Sequence, residues 1–266
     1  MTPAAVAERA APKALSMEQL AAYERDGFLI LRNVFGAAEI AELERDAREL
    51  VGRTDLISVK NIRCRWKDHV QTKACTFECF DPVIDVSPAC KKIAYDRRIL
   101  DAVGDLYREP AHLFKDKLIF KPAGVEGYKL HQDWISWKGF PTSFVTVLVP
   151  IDDCDRTNGC TVVYPGCHTN GYVSAHDGDY HDCPASWVEG VTPVPLELKA
   201  GDIAMFGAFT PHYSDPNLSP GPRRQLYLSY NAESDGGAQR DQHYREFHEW
   251  LHVKYAQYGK TDVYFQ

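Results

Sequence analysis

Leu118-Ile119-Phe120-Lys121-Pro122 leads, a few residues later, into His131-Gln132-Asp133, and the reading of this stretch decides the fold. The first run is a hydrophobic β segment. The second sets a histidine and an aspartate two positions apart. Residues i and i+2 of a strand share a face, so His131 and Asp133 can grip one metal ion while Gln132 faces away. A third candidate ligand, His212, follows in Phe209-Thr210-Pro211-His212, and Arg223 lies beyond it. Two imidazoles and one carboxylate are the donor set of the facial triad in non-heme Fe(II) oxygenases. H-x-D alone carries little, since about one such triplet turns up by chance in a chain of this composition. The ordered set of H-x-D, Gly201-Asp202, His212, Ser214, Asn217 and Arg223 is far harder to obtain by accident.

Working outward, the chain from Leu113 onward reads as short strands at about 113–121, 128–136, 143–150, 159–164, 194–199, 202–207 and 225–231. Turn residues such as Asn158-Gly159 and Gly221-Pro222 separate them. Seven strands in a row predict a sandwich or jelly-roll barrel. Before them, Ser16-Met17-Glu18-Gln19 reads as a capping box that starts a helix to about Arg25. Phe28 to Val34 reads as a strand. Ala37 to Val51 is an amphipathic helix with Ile40, Leu43, Ala47 and Leu50 on one face, ended by Gly52. A further helix is expected over 89–107, and a last one over 238–256. Residues 53–87 are either a lid or binding loop or a surface excursion. Residues 1–15, rich in Ala and Pro, are expected to be disordered, leaving 16–266 as a single domain. The expected class is mainly β with flanking helices.

These motifs together resemble the phytanoyl-CoA dioxygenase-like Fe(II)/2-oxoglutarate oxygenases. The stretches that carry the resemblance are Asp26-Gly27-Phe28-Leu29-Ile30-Leu31, Lys117 through Pro122, His131-Gln132-Asp133, Val149-Pro150-Ile151-Asp152, Asn158-Gly159-Cys160-Thr161, Tyr164-Pro165-Gly166-Cys167-His168, and Gly201 through His212 to Arg223. The likeness runs from about residue 17 to about 232. It implies a double-stranded β-helix, cupin-like in form. It implies Fe(II) on His131, Asp133 and His212, with 2-oxoglutarate and O2 as cosubstrates. Arg223 then takes the distal carboxylate of 2-oxoglutarate in bidentate form, Ser214 can add a hydroxyl donor, and Thr146 and Lys117 line the cosubstrate wall. The implied reaction oxidises a substrate C–H bond as 2-oxoglutarate decarboxylates to succinate. Halogenating relatives lack the carboxylate ligand, so Asp133 favours hydroxylation or a related oxidation. Tyr128, Trp134 and Trp137 flank the metal motif and either line the substrate pocket or pack in the core. Small bacterial members of similar pattern act on polar small molecules, among them 2-aminoethylphosphonate.

Composition bounds the rest. The chain has 266 residues, 44% hydrophobic and 25% charged, with a net charge of −7. That balance speaks against a general nucleic-acid binder. No run of 18 apolar residues predicts a membrane span, and the first residues lack the apolar core of a signal peptide, so a cytoplasmic enzyme with a small-molecule substrate is expected. The eight cysteines form no C-x-x-C pair and read as free thiols. Arg63, Arg65 and Lys67 either serve an anionic substrate group or are simply solvated. The stretch 168–190, with His176, Asp177, Asp179 and His181, reads as a lid or as solvated surface.

Two rival readings stand beside this one. His248-Glu249-Trp250-Leu251-His252 matches the H-E-x-x-H helix of zinc metallopeptidases, in which the two histidines share a face and the glutamate is the base. No third histidine or glutamate ligand follows it, and the other reading of the segment is a terminal amphipathic helix. The second rival is a non-catalytic jelly-roll binding protein, against which the intact ligand set and Arg223 argue.

Overall fold

The computed structural model describes residues 11–266. The first helix, α1 (Met17–Asp26), begins with the expected capping box: the Ser16 hydroxyl accepts from the Gln19 amide, and the Gln19 side chain accepts from the Ser16 amide. Gly27 ends it at φ +79°, where a Cβ would lie 2.4 Å from His168 Nδ1, so only glycine fits this turn. Strand β1 (Phe28–Leu31) follows, shorter than expected, and then α2 (Ala37–Val51), which buries Ile40, Leu43, Ala47 and Leu50 as its periodicity requires. The first ten residues of the expected disordered stretch 1–15 lie outside the described residues. Its end is held: the amides of Lys13, Ala14 and Leu15 donate to the Asp105 carboxylate, and Leu15 is buried.

Residues 53–87 are neither a free loop nor a surface excursion. They form a hairpin, β2 (Cys64–Asp68) and β3 (Cys75–Phe80), that extends the main sheet. The helix expected over 89–107 is two helices, α3 (Pro88–Ala94) and α4 (Arg97–Tyr107), because Asp96 caps a new start with its side chain on the Arg98 amide. The remaining strands are β4 (Ala111–Ile119), β5 (Tyr128–His131), β6 (Val145–Pro150), β7 (Thr161–Val163), β8 (Val194–Pro195), β9 (Ile203–Gly207), β10 (His212–Ser214) and β11 (Gln225–Ala232). Helix α5 (Arg240–Gln257) closes the chain. The expected strand 128–136 stops at His131. That at 194–199 shrinks to two residues plus a bridge between Leu198 and Cys154.

Two antiparallel sheets face each other, one of seven strands in the order β1-β9-β6-β11-β4-β3-β2 and one of four in the order β5-β10-β7-β8. This is the expected double-stranded β-helix with flanking helices. Alternation sorts the large sheet's side chains. Val145, Val147, Val149, Leu226, Leu228 and Tyr230 join Leu43, Ala47, Ile99 and Val103 in the main core. The intervening residues (Thr146 on β6, Gln225, Tyr227 and Ser229 on β11) fall on the opposite, inner face. Among the described residues, no helix is long and apolar enough to cross a membrane.

Helix α5 and the segment that follows β3 are tied through Asp116 on β4. Its buried carboxylate accepts from the Val83 and Ile84 amides at 2.6 and 2.8 Å and from Arg240 Nε at 2.7 Å. Asp116→Ala strands a nearly buried guanidinium and two amides, and should cost about 3 kcal/mol of stability. A chemical-denaturation midpoint within error of the parent would refute that role.

Candidate metal centre and cosubstrate pocket

Cross-strand register builds the centre. His212 on β10 sits directly opposite His131 on β5, which sets their rings 4.1 Å apart between centroids. Each ring is fixed by its own backbone. His131 Nδ1 lies 2.7 Å from the Lys129 carbonyl and His212 Nδ1 lies 2.9 Å from that of Thr210. With Nδ1–H donating, both Nε2 lone pairs are free for a metal. Asp133 lies beyond the end of β5, so strand alternation alone does not aim it. Gln132 does the aiming: its buried amide donates to the carbonyls of Gly171 and Phe209 and accepts from the Val173 amide. Thr146 on the opposite sheet donates to Asp133 Oδ2 at 2.7 Å, which leaves Oδ1 3.8 Å from His131 Nε2 and 3.7 Å from His212 Nε2. The three ligand atoms all fall within 4.8 Å of one another. Burial, then the neighbouring His212, press the His131 pKa down to about 3. For Asp133, burial works upward, but His212, Lys117 and His131 outweigh it and hold the carboxyl at about 2. Both groups therefore stand deprotonated, as metal ligands must.

Arg223 is wholly buried. Its Nη1 donates to Gln225 Oε1 and, at 3.2 Å, to the Tyr227 hydroxyl, while Nε and Nη2 have no partner. Lys121, which sequence reasoning quoted in a motif but gave no role, lies in the same region. Its Nζ donates to Ser214 Oγ at 3.0 Å and to the carbonyls of Gly159 and Asp215, and burial, reinforced by Arg223, pulls its pKa down to about 7. Ser214 thus meets the Lys121 ammonium and the Tyr128 amide. Arg224 points the other way, to Asp152 and Glu44, as alternation predicts.

A cavity of about 520 Å³ opens onto His131 and Asp133. Lys117, Tyr128 and Trp137 line it, Tyr128 with its hydroxyl on Glu78 at 2.7 Å. Trp134 does not. It packs against Tyr172 and Phe209, because the turn after Asp133 directs it under the 168–190 stretch. Thr146 reaches the site through Asp133 rather than along the cavity wall. Lys67 and Lys115 also line the cavity. Lys67 was one of the three cations set against an anionic group or solvent, whereas Lys115 gave no signal beyond strand alternation with Lys117. Arg63 is turned away, bonded to the carbonyls of Pro82 and Gln266. From 168–190, Gly178, Tyr180 and Asp182 reach the cavity, while His181 and Asp177 bond each other.

The H-E-x-x-H segment does lie on a helix, but it builds no metal site. His248 is buried against Phe265 with ring centroids 3.8 Å apart, whereas Glu249 and His252 are exposed. Among the described residues, the cluster able to hold a metal is His131, Asp133 and His212.

A jelly roll that brings two imidazoles and one carboxylate together beside a buried arginine defines a non-heme iron oxygenase. The phytanoyl-CoA dioxygenase family profile matches residues 23–225, and the chain belongs to that family. It is accordingly an Fe(II)- and 2-oxoglutarate-dependent dioxygenase, an oxidoreductase. It is 33% identical over 150 residues to a methylphosphonate hydroxylase of Gimesia maris, a match spanning 56% of each chain. It is 27% identical to a 2-aminoethylphosphonate dioxygenase of an uncultured bacterium, over 85% of each chain. To an ectoine dioxygenase of Bordetella bronchiseptica it is 28% identical, over 82% of this chain and 76% of that one. The crystal structure of EctD from S. alaskensis with 2-oxoglutarate and 5-hydroxyectoine shares the fold, with a TM-score of 0.71 at 22% identity over 88% of this chain and 82% of that one.

Thr146→Val removes the hydroxyl that fixes Asp133 and keeps the volume. Fe(II) affinity, measured by titration without oxygen, should fall roughly tenfold or more. An unchanged affinity would show that Asp133 is aimed by Gln132 alone.

Proposed function

We propose that this enzyme hydroxylates an unactivated C–H bond of a small polar or anionic molecule, with Fe(II) held by His131, Asp133 and His212 and 2-oxoglutarate anchored by Arg223. The observation that carries the reading is the guanidinium of Arg223. It is fully buried, two of its donors are unpartnered, and among the described residues no carboxylate pairs with it. An unpaired buried charge costs several kcal/mol, so the site is built for an incoming anion. A guanidinium fork matches a planar carboxylate. The distal carboxylate of a keto acid whose other end chelates the metal fits that demand.

The chain's own groups then divide the work. Ser214 accepts from Lys121 and the Tyr128 amide, which leaves its own proton for the same carboxylate. Lys117 faces the Asp133 side of the cavity. Gln132 and Thr146 hold the ligands in place before iron arrives, so no reorganisation is needed at binding. Tyr180 lies 5.4 Å from the His131 ring and, with Trp137, Phe247 and Trp250, keeps water from the reacting face. When bound, Fe(II) supplies dioxygen activation coupled to decarboxylation of 2-oxoglutarate to succinate and CO2. Asp133 would supply a carboxylate ligand where a halide would otherwise bind, which favours hydroxylation. The substrates named for the phosphonate and ectoine relatives are all small and polar, in keeping with this cavity. Residues 16–266 act as one oxygenase domain in this reading, and eight free thiols suit a reducing cytoplasm.

Arg223→Lys keeps the charge and loses the fork. The KM for 2-oxoglutarate, followed by Fe(II)-dependent succinate release, should rise about tenfold or more while Fe(II) affinity stays unchanged. A KM that does not move, or succinate release that does not need iron, would overturn the assignment.

A further inference from the structure

Lys121 joins the parts of the cosubstrate subsite. It is wholly buried. Its backbone takes φ +34°, in the left-handed region that a lysine rarely adopts, and such strain persists where the surroundings over-determine it. Its carbonyl accepts from the Arg223 amide at 3.1 Å and from Asn217 Nδ2 at 2.8 Å. Its Nζ donates to Ser214 Oγ at 3.0 Å, to the Gly159 carbonyl at 3.1 Å and to the Asp215 carbonyl. Gly159 makes room for this: a Cβ there would lie 2.7 Å from Nζ and 2.2 Å from the Asp215 oxygen. One residue thus grips both groups that face the distal carboxylate, Arg223 through its backbone and Ser214 through its side chain.

The three partners of Nζ are not alike. Two are carbonyl oxygens, which only accept, whereas Ser214 is a hydroxyl, which can accept or donate. While Lys121 is an ammonium, its three N–H groups are all used. Ser214 Oγ then accepts from Lys121 and, at 3.2 Å, from the Tyr128 amide, so its own proton turns away from both. When Lys121 gives a proton to solvent, its two remaining N–H groups still serve the two carbonyls, and its lone pair falls to Ser214. Of the three partners only Ser214 has a proton to return, so its O–H swings in to Nζ. Resting on the oxygenase reading above, we propose that Lys121 is a positioning residue whose own proton sets the direction of the Ser214 hydroxyl: outward to the distal carboxylate of the keto acid when Lys121 is charged, inward to Lys121 when it is neutral.

Both states are within reach near neutrality. Burial, reinforced by Arg223 and by Lys67 on β2, pulls the Lys121 pKa down to about 7, against the opposing pull of Glu78 on β3 and Asp215 after β10. An anion arriving at Arg223 favours the ammonium, so keto acid binding and protonation of Lys121 support each other. Affinity is therefore full below about pH 7, where the empty enzyme already holds the proton. It falls as pH rises through that value, because binding must then draw a proton from solvent.

Oxygen-free titration of the Fe(II) holoenzyme with 2-oxoglutarate tests this, read by the visible absorption of the iron–keto acid chelate from about pH 6 to about pH 8.5. The parent Kd should rise roughly tenfold or more across that range. Calorimetry at the alkaline end, in buffers of unlike ionisation enthalpy, should show about one proton taken up per keto acid bound. Ser214→Ala leaves the ammonium and its two carbonyls in place. It should start from a weaker Kd and show a rise roughly threefold or more smaller than the parent's. Lys121→Met should bind with a Kd flat to within about twofold. Where that variant does not fold, Ser214→Ala and the proton count decide alone. A parent Kd that stays flat overturns the proposal. So does Ser214→Ala with the parent's full rise, because the whole effect would then belong to charge and none to the hydroxyl. No chelate in the parent at any pH would instead sink the oxygenase reading, while a chelate formed with pH-independent affinity would sink only the role of Lys121.

Discussion

The pairing of two short strands carries the site. Because β10 runs antiparallel to β5 with His212 opposite His131, two imidazoles become neighbours across more than eighty residues of chain. A slip of one residue would turn one ring to the far face and dissolve the centre. The small sheet has few residues with which to hold that register. β10 therefore leans on β7 as well, where His212, Tyr213 and Ser214 meet Val163, Val162 and Thr161. The inner face of the large sheet completes the arrangement by sending Thr146 across to the carboxylate. Neither sheet makes the centre alone.

Burying so many polar groups has a cost that the structure distributes unevenly. Lys121 spends its three protons on a hydroxyl and two carbonyls and is fully satisfied. Asp116 is likewise saturated by amides and Arg240. Arg223 is left short of partners, a deficit that neither Lys121 nor Asp116 shares.

The metal ligands and Arg223 were legible because their spacing survives any change in surrounding packing: an i, i+2 pair, a histidine on a later strand and an arginine entering the last one. Helix α2 was equally plain, since its apolar stripe has a single period and glycine at each end. Residues 53–87 resisted reading for a physical reason. Their strands carry Arg65, Lys67 and Glu78 on positions that face a polar cavity or a buried ion network, so the usual alternation of apolar and polar residues is erased. The same confusion affected the tryptophans. Trp134 and Trp137 are three apart and chemically alike, and only the turn beyond Asp133 decides that one packs under a loop while the other lines the cavity. His248 and His252 show the converse: correct spacing on a real helix, with one ring buried against Phe265 and the other in solvent, leaves no shared vacant face.

The stretch around Tyr180 and the helix α5 meet over the cavity through Lys254 and Asp179, 3.0 Å apart and both partly exposed, while Lys129 and Asp182 join at the rim. Exposed pairs of this kind contribute about 1 kcal/mol at most and weaken as salt rises. The roof is thus fastened by its weakest bonds at its outer edge, while the ligands beneath are anchored to sheet backbone. Traffic of small molecules in and out can proceed by brief unfastening of that rim, with admission responsive to ionic strength and the catalytic floor undisturbed.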